Sequence, residues 1–178
     1  MTQELYQKAM KFAGEKHSEQ KVPGTNANYL LHLSNVAMEI LMAYAHSKNF
    51  DINFTIQIAI LHDTIEDTDT NFEEVKQEFG ENIAKGVLAL TKNDAVSSKK
   101  EKMQDSLIRI NELQKEVGMV KLADRITNLQ KPPSHWDKNK VALYLEEAKV
   151  IANTLQGKNK YLNKRLLSKI ETYKWHKK

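Results

Sequence analysis

The chain has 178 residues, three prolines, six glycines and no cysteine, with 40% apolar and 28% charged residues. This is the balance of a globular protein, and the missing cysteines exclude a disulfide framework and thiolate metal sites, so a bound metal must use His, Asp or Glu. A net charge of +4, from 27 basic and 23 acidic residues, suits a phosphorylated small molecule; a nucleic-acid binder needs its charge concentrated on one face with stacking aromatics, so no nucleic-acid partner is expected.

The start, Met1-Thr2-Gln3-Glu4, has no basic stretch leading into an apolar one, and no apolar run is long enough to span a membrane. A cytoplasmic protein without membrane attachment is therefore expected. Helical periodicity runs almost throughout. A first helix is expected over about 3–18, with Leu5, Ala9, Phe12 and Ala13 on its apolar face. The breaker loop Val22-Pro23-Gly24-Thr25-Asn26 follows. A second helix starts near Asn28 with Leu31, Val36, Ile40 and Leu41, and a third covers about 53–64 and ends on His62-Asp63. Thr70-Asn71-Phe72-Glu73 matches a capping box and opens a short helix that Gly80 stops. Another helix covers about 81–91. The polar run from Lys92 to Lys102 reads as a solvated loop or a flap whose lysines meet phosphates. Further helices are expected near 103–116, 119–129, 138–156 and 160–174, with Pro132-Pro133 enforcing a break. The Lys-rich end Lys174–Lys178 reads as a solvated tail. The fold class is all-α, one domain over residues 1–178.

The chemistry concentrates in Leu61-His62-Asp63-Thr64-Ile65-Glu66-Asp67-Thr68. Imidazole and carboxylate sit side by side, and both are ligands for a divalent metal. If the helix continued, His62 would lie over Glu66 and Asp63 over Asp67. Acids this close repel one another unless a cation lies among them. Two other segments add to this. His32 follows Tyr29-Leu30-Leu31 among apolar neighbours, and Asp124 sits beside the stripe Leu122, Ile126, Leu129. A carboxylate there is costly unless it is paired or bound to metal. Plainer readings are open: His32 as a core histidine, Asp124 paired with Lys121 or Arg125, and Glu66 and Asp67 as solvated loop acids. His17 reads as a structural hydrogen-bonding residue; His46, His135 and His176 read as surface residues.

The order His, His-Asp, late Asp on helices resembles the HD-domain metal phosphohydrolases. Finer motifs resemble the hydrolase domain of the RelA/SpoT family and its small stand-alone alarmone hydrolases. These motifs are His17-x-x-Gln20, Tyr29-x-x-His32, His62 to Thr68, Phe79-Gly80, Leu90-Thr91-Lys92 and Lys121 to Leu129. The resemblance implies an HD-type helical bundle in which His32, His62, Asp63 and Asp124 hold one Mn²⁺. It implies that Glu66 and Asp67 position or deprotonate the attacking water. Lys21, Tyr29, Lys121, Arg125 and Asn128 would lie near the substrate, a guanosine nucleotide. The implied reaction removes the 3′-pyrophosphate of guanosine 3′,5′-bis(diphosphate), ppGpp, to give GDP and pyrophosphate. The chain departs from the family pattern at Lys21-Val22, where a basic pair is usual, at Asn28 and Leu33 in place of prolines, and at Gln130. An HD-type phosphatase for another nucleotide or NADPH, and a non-catalytic nucleotide sensor, are the alternative expectations.

Overall fold

The computed structural model describes residues 1–174; Trp175 to Lys178, most of the expected tail and including His176, lie outside the described residues. The expected all-α class holds. The helices are α1 (Thr2–Lys16), α2 (Leu30–His46), α3 (Ile52–Leu61), α4 (Thr64–Asp67), α5 (Phe72–Phe79), α6 (Glu81–Leu90), α7 (Lys99–Glu112), α8 (Lys115–Asn128), α9 (Lys138–Thr154) and α10 (Lys160–Tyr173). Among the described residues the extended pairing is a single bridge between Lys21 and Asn28, which closes the loop between α1 and α2.

Two helices are buried nearly all round, and they set the architecture. In α3, Ile56, Ile58, Ala59, Ile60 and Leu61 have no exposed surface. Burying each of the larger four is worth about 1.5–3 kcal/mol. In α8, Val117, Met119, Val120, Leu122, Ala123 and Ile126 are equally enclosed. Helices α1, α2, α6 and α8 surround α3, while α9, α10 and α7 close around α8. The approach of α6 to α3 is close enough that a Cβ on Gly86 would lie 2.5 Å from Cδ1 of Ile58.

Local chemistry fixes several helix starts. The side chains of Asp51, Asn71, Ser98, Asp137 and Asn159 accept backbone N–H bonds at the starts of α3, α5, α7, α9 and α10. Gly80, at φ 88°, ends α5 in a conformation that L side chains avoid.

Four expectations need correction. The third helix stops at Leu61, and His62-Asp63 form a turn before the short α4. The cap of α5 is Asn71, one residue after Thr70, because the buried Thr70 hydroxyl is already paired with Thr68 Oγ1 at 2.8 Å. Helix α7 begins at Lys99, within the run read as loop or flap, because Ser98 accepts from the Glu101 N–H at 3.2 Å and donates to its carboxylate at 2.8 Å. The expected break around Gly118 falls inside α8; there the missing side chain admits Lys158, whose Cγ would lie 2.8 Å from a Cβ.

Candidate metal centre

Three helices bring the expected ligands together. The buried His32 comes from the first turn of α2, His62 from the residue after α3, and Asp124 from the middle of α8. Their ligand atoms all lie within 4.8 Å of one another. The two Nε2 atoms face each other at 3.3 Å. Asp124 Oδ1 lies 3.5 Å from His32 Nε2 and 3.7 Å from His62 Nε2. Asp63 Oδ2 lies 3.0 Å from the His62 nitrogen and 3.6 Å from that of His32.

The supporting bonds orient these groups. His62 Nδ1–H donates to the Ala59 carbonyl at 2.9 Å, which leaves the Nε2 lone pair for the cluster. The Tyr29 hydroxyl donates to Asp63 Oδ2 at 2.6 Å. Asn128 Nδ2 donates to Asp124 Oδ1, and the Lys121 ammonium lies 3.4 Å from Oδ2. Asp124 therefore does pair with Lys121, and the same carboxylate still faces both imidazoles.

Burial alone would push both imidazoles down and both carboxyls up. The opposite happens. Asp63 and Asp124 raise His32 and His62, while the imidazoles, with Lys121 beside Asp124, hold both carboxyls well below the usual range. The cluster thus attracts positive charge, drawing protons onto nitrogens whose lone pairs converge. A divalent cation meets the same demand, and a set of imidazole nitrogen and carboxylate oxygen without thiolate suits a first-row divalent metal. The residues present fit such an ion.

Glu66 and Asp67 lie on α4, anchored by the Asp67 N–H to the Asp63 carbonyl at 2.9 Å. Neither is a free loop acid. Glu66 accepts from the Lys92 backbone N–H at 2.9 Å and from its ammonium. Asp67 accepts from Gln20 Nε2 at 2.9 Å. Partial desolvation pushes the carboxyl of Asp67, an exposed residue, above its ordinary value, against the lowering effect of the Gln20 bond. Each acid thus has a partner of its own, while the charges of Asp63 and Glu66 still act to raise the Asp67 carboxyl.

The expected substrate residues are placed unevenly. Tyr29, Lys121 and Asn128 stand at the cluster, bonded to its carboxylates. Lys21 is exposed on the α1–α2 loop. Arg125 is buried and turned towards α9, its guanidinium 4.3 Å over the Tyr144 ring and 3.5 Å from Glu147. The residues missed from sequence are Gln20 and Lys92 in their roles as partners of Asp67 and Glu66. Their signal is their place in His17-x-x-Gln20 and Leu90-Thr91-Lys92, motifs that carry no local periodicity.

An all-α bundle holding a His, His-Asp and Asp group defines the class, and comparison gives the family. The HD domain model matches residues 9–155. The chain belongs to the HD domain family. It is 30% identical over 91% of its length to a Xenopus tropicalis protein named guanosine-3′,5′-bis(diphosphate) 3′-pyrophosphohydrolase MESH1, covering 90% of that protein. The human protein of that name is 31% identical over 89% of this chain and 88% of its own. An Aquifex aeolicus guanosine-3′,5′-bis(diphosphate) 3′-pyrophosphohydrolase is 39% identical over 71% of this chain, which spans 18% of that longer protein. A solved structure of a metazoan SpoT orthologue superposes with a TM-score of 0.80 at 24% identity, covering 94% of both chains, and shares the fold. Among the described residues, no helix is long and apolar enough to cross a membrane.

Proposed function

We propose that this chain is a metal-dependent hydrolase that removes the 3′-pyrophosphate of ppGpp, giving GDP and pyrophosphate. The observation that carries the reading is the convergence of His32, His62 and Asp124 within 4.8 Å, with Asp63 against both imidazoles. The relatives named for this reaction support the choice of substrate. A divalent ion on His32, His62, Asp63 and Asp124, here assigned as Mn²⁺, would supply Lewis acidity to a phosphoryl oxygen and acidify a water.

The chain's own groups do the rest. Tyr29 and Asn128 hold the Asp63 and Asp124 carboxylates in place. His62 is kept in the tautomer that presents Nε2 by the Ala59 carbonyl. Glu66 and Asp67 position the attacking water or take its proton. Lys21, Tyr29, Lys121, Arg125 and Asn128 are the proposed contacts to phosphate and ribose. We read residues 1–178 as one HD-type hydrolase domain working in the cytoplasm, with a small guanosine nucleotide as its partner and no nucleic acid or membrane.

Incubation of the purified protein with Mn²⁺ and ppGpp should release GDP and pyrophosphate, with ppGpp preferred by kcat/KM over other nucleotides and NADPH. No turnover of ppGpp with any divalent metal would sink the proposal. Faster hydrolysis of another nucleotide or of NADPH would move it to the phosphatase reading that the single basic residue at Lys21-Val22 makes worth testing.

A further inference from the structure

Asp67, one helical turn beyond Asp63 and bonded to its carbonyl, has a polar arm behind its side chain that the reaction just proposed does not use. The buried His17 closes α1, with its N–H on the Ala13 carbonyl at 2.8 Å. Its Nδ1 meets Gln20 Oε1, and Gln20 Nε2 meets Asp67 Oδ2 at 2.9 Å. The signs of these bonds follow from the acceptor at the end. An ionised carboxylate only accepts, so Gln20 must present its NH₂ to Asp67 and its carbonyl to His17. The imidazole must then carry its proton on Nδ1. Burial favours that neutral form by pushing the imidazole below its ordinary pKa. Among the described residues its buried Nε2 has no hydrogen-bond partner, so the Gln20 bond is the imidazole's one side-chain hydrogen bond there.

The same ring reaches the metal ligands along a second line. It stacks on Tyr29, with centroids 5.0 Å apart and planes 28° apart, and Tyr29 bonds Asp63 at 2.6 Å. The backbone locks both arms: Gln20 N–H to the His17 carbonyl at 3.0 Å and Tyr29 N–H to the Gln20 carbonyl at 2.9 Å. Asn28 Nδ2 closes the loop on the carbonyls of His17 and Ser18, at 3.3 and 3.0 Å.

We infer that His17 and Gln20 are a positioning pair for Asp67: the imidazole fixes which way the Gln20 amide faces, and the amide fixes the carboxylate that handles the proton. The inference rests on the catalytic reading of Asp67. Neither residue bonds a proposed metal ligand, and the ring face that His17 lends Tyr29 is one that Phe also supplies, so loss of the Gln20 bond acts on the chemical step rather than on metal binding.

The test measures kcat, KM for ppGpp and Mn²⁺ affinity for Gln20→Leu, His17→Phe, His17→Asn, Asp67→Asn and the double variant Gln20→Leu/Asp67→Asn. Gln20→Leu and His17→Phe should each lower kcat by about 10- to 100-fold, the usual cost of losing an orienting partner. KM and Mn²⁺ affinity should stay within about twofold, because uniform binding is untouched. His17→Asn keeps an N–H near the Nδ1 position and should recover most of the loss. In the double variant, Gln20→Leu should cost nothing beyond Asp67→Asn, since the group it orients is already disabled. Gln20 is only half-buried, so its variant keeps the test open should His17→Phe fail to fold. A normal kcat in Gln20→Leu alongside a slow Asp67→Asn overturns the pair alone, as do additive losses in the double variant or a parallel loss of Mn²⁺ affinity. Wild-type turnover by Asp67→Asn overturns the catalytic reading of Asp67 and the pair with it.

Discussion

Two of the proposed metal ligands, His62 and Asp63, lie within a few residues of Glu66 and Asp67 in the chain, yet the ligand set and the acid pair are held by different means. His32, His62 and Asp124 come from α2, the end of α3 and α8, three elements packed against one another in the core. Their geometry follows from apolar burial. Glu66 and Asp67 sit on a four-residue helix, too short to be stable by itself, and are held from outside by Lys92 and Gln20. The first region is set by folding; the second is set by side-chain arms from loops, and it can be altered without disturbing the core.

The largest effect should come from the ligands. His32→Ala, His62→Ala, Asp63→Ala or Asp124→Ala should each abolish bound metal and turnover while helical content by circular dichroism persists, because the ligands come from separate elements and none carries the core. Full metal occupancy in two of them would break the comparison at its first half.

Lys92→Met should leave metal content intact and lower kcat by about 10- to 100-fold, by freeing Glu66 from its ammonium. One backbone bond to Glu66 remains, so the loss should be partial. Equal loss of metal would show that the two regions are one unit.

Gly86→Ala tests the core behind both. Its new Cβ would meet Ile58, and overpacking of this kind costs about 1–3 kcal/mol. At about 2–4 °C per kcal/mol for a chain of this size, the midpoint of thermal unfolding should fall while kcat at 25 °C stays near the wild-type value. An unchanged midpoint would mean that the α3–α6 contact is looser than described.

The smallest effect is one of pH. Burial lowers the His17 pKa in the fold below its unfolded value near about 6.5. The unfolded state then binds the extra proton, so this stability is complete above about pH 6.5 and is lost as pH falls from there towards the folded pKa. The stability difference between wild type and His17→Asn should therefore shrink between about pH 7 and 5. His32 and His62 titrate in both proteins and cancel in the difference. A difference independent of pH would show that His17 is not held neutral.

The same division explains what the sequence made legible. Apolar periodicity and the breakers at Pro23-Gly24, Gly80 and Pro132-Pro133 marked most helices, since these are local signals. Ser98-x-x-Glu101 was also local, but the lysines around it read as loop, and the start of α7 was placed four residues late. The turn at His62-Asp63 carries no Gly or Pro to announce it. His32, His62, Asp63 and Asp124 stand out as a set through the family order His, His-Asp, late Asp; taken alone, His32 also fits a core histidine and Asp124 a partner of Lys121. The partners of Glu66 and Asp67 lie 26 and 47 residues away. Such pairings are set by tertiary packing, which periodicity along one helix does not encode.

The most direct measurement of the division between metal binding and proton handling is Mn²⁺ affinity and kcat on the same preparations of Glu66→Gln and Asp67→Asn. Both substitutions keep size and hydrogen-bonding reach and remove the ionisable group. The expected result is a fall in kcat of roughly 10²–10⁴, the usual contribution of general acid–base catalysis, with Mn²⁺ affinity and KM nearly unchanged. A loss of Mn²⁺ affinity of about 10–100-fold, as for a group that supports the ligands, or near-normal turnover in both variants, would contradict it.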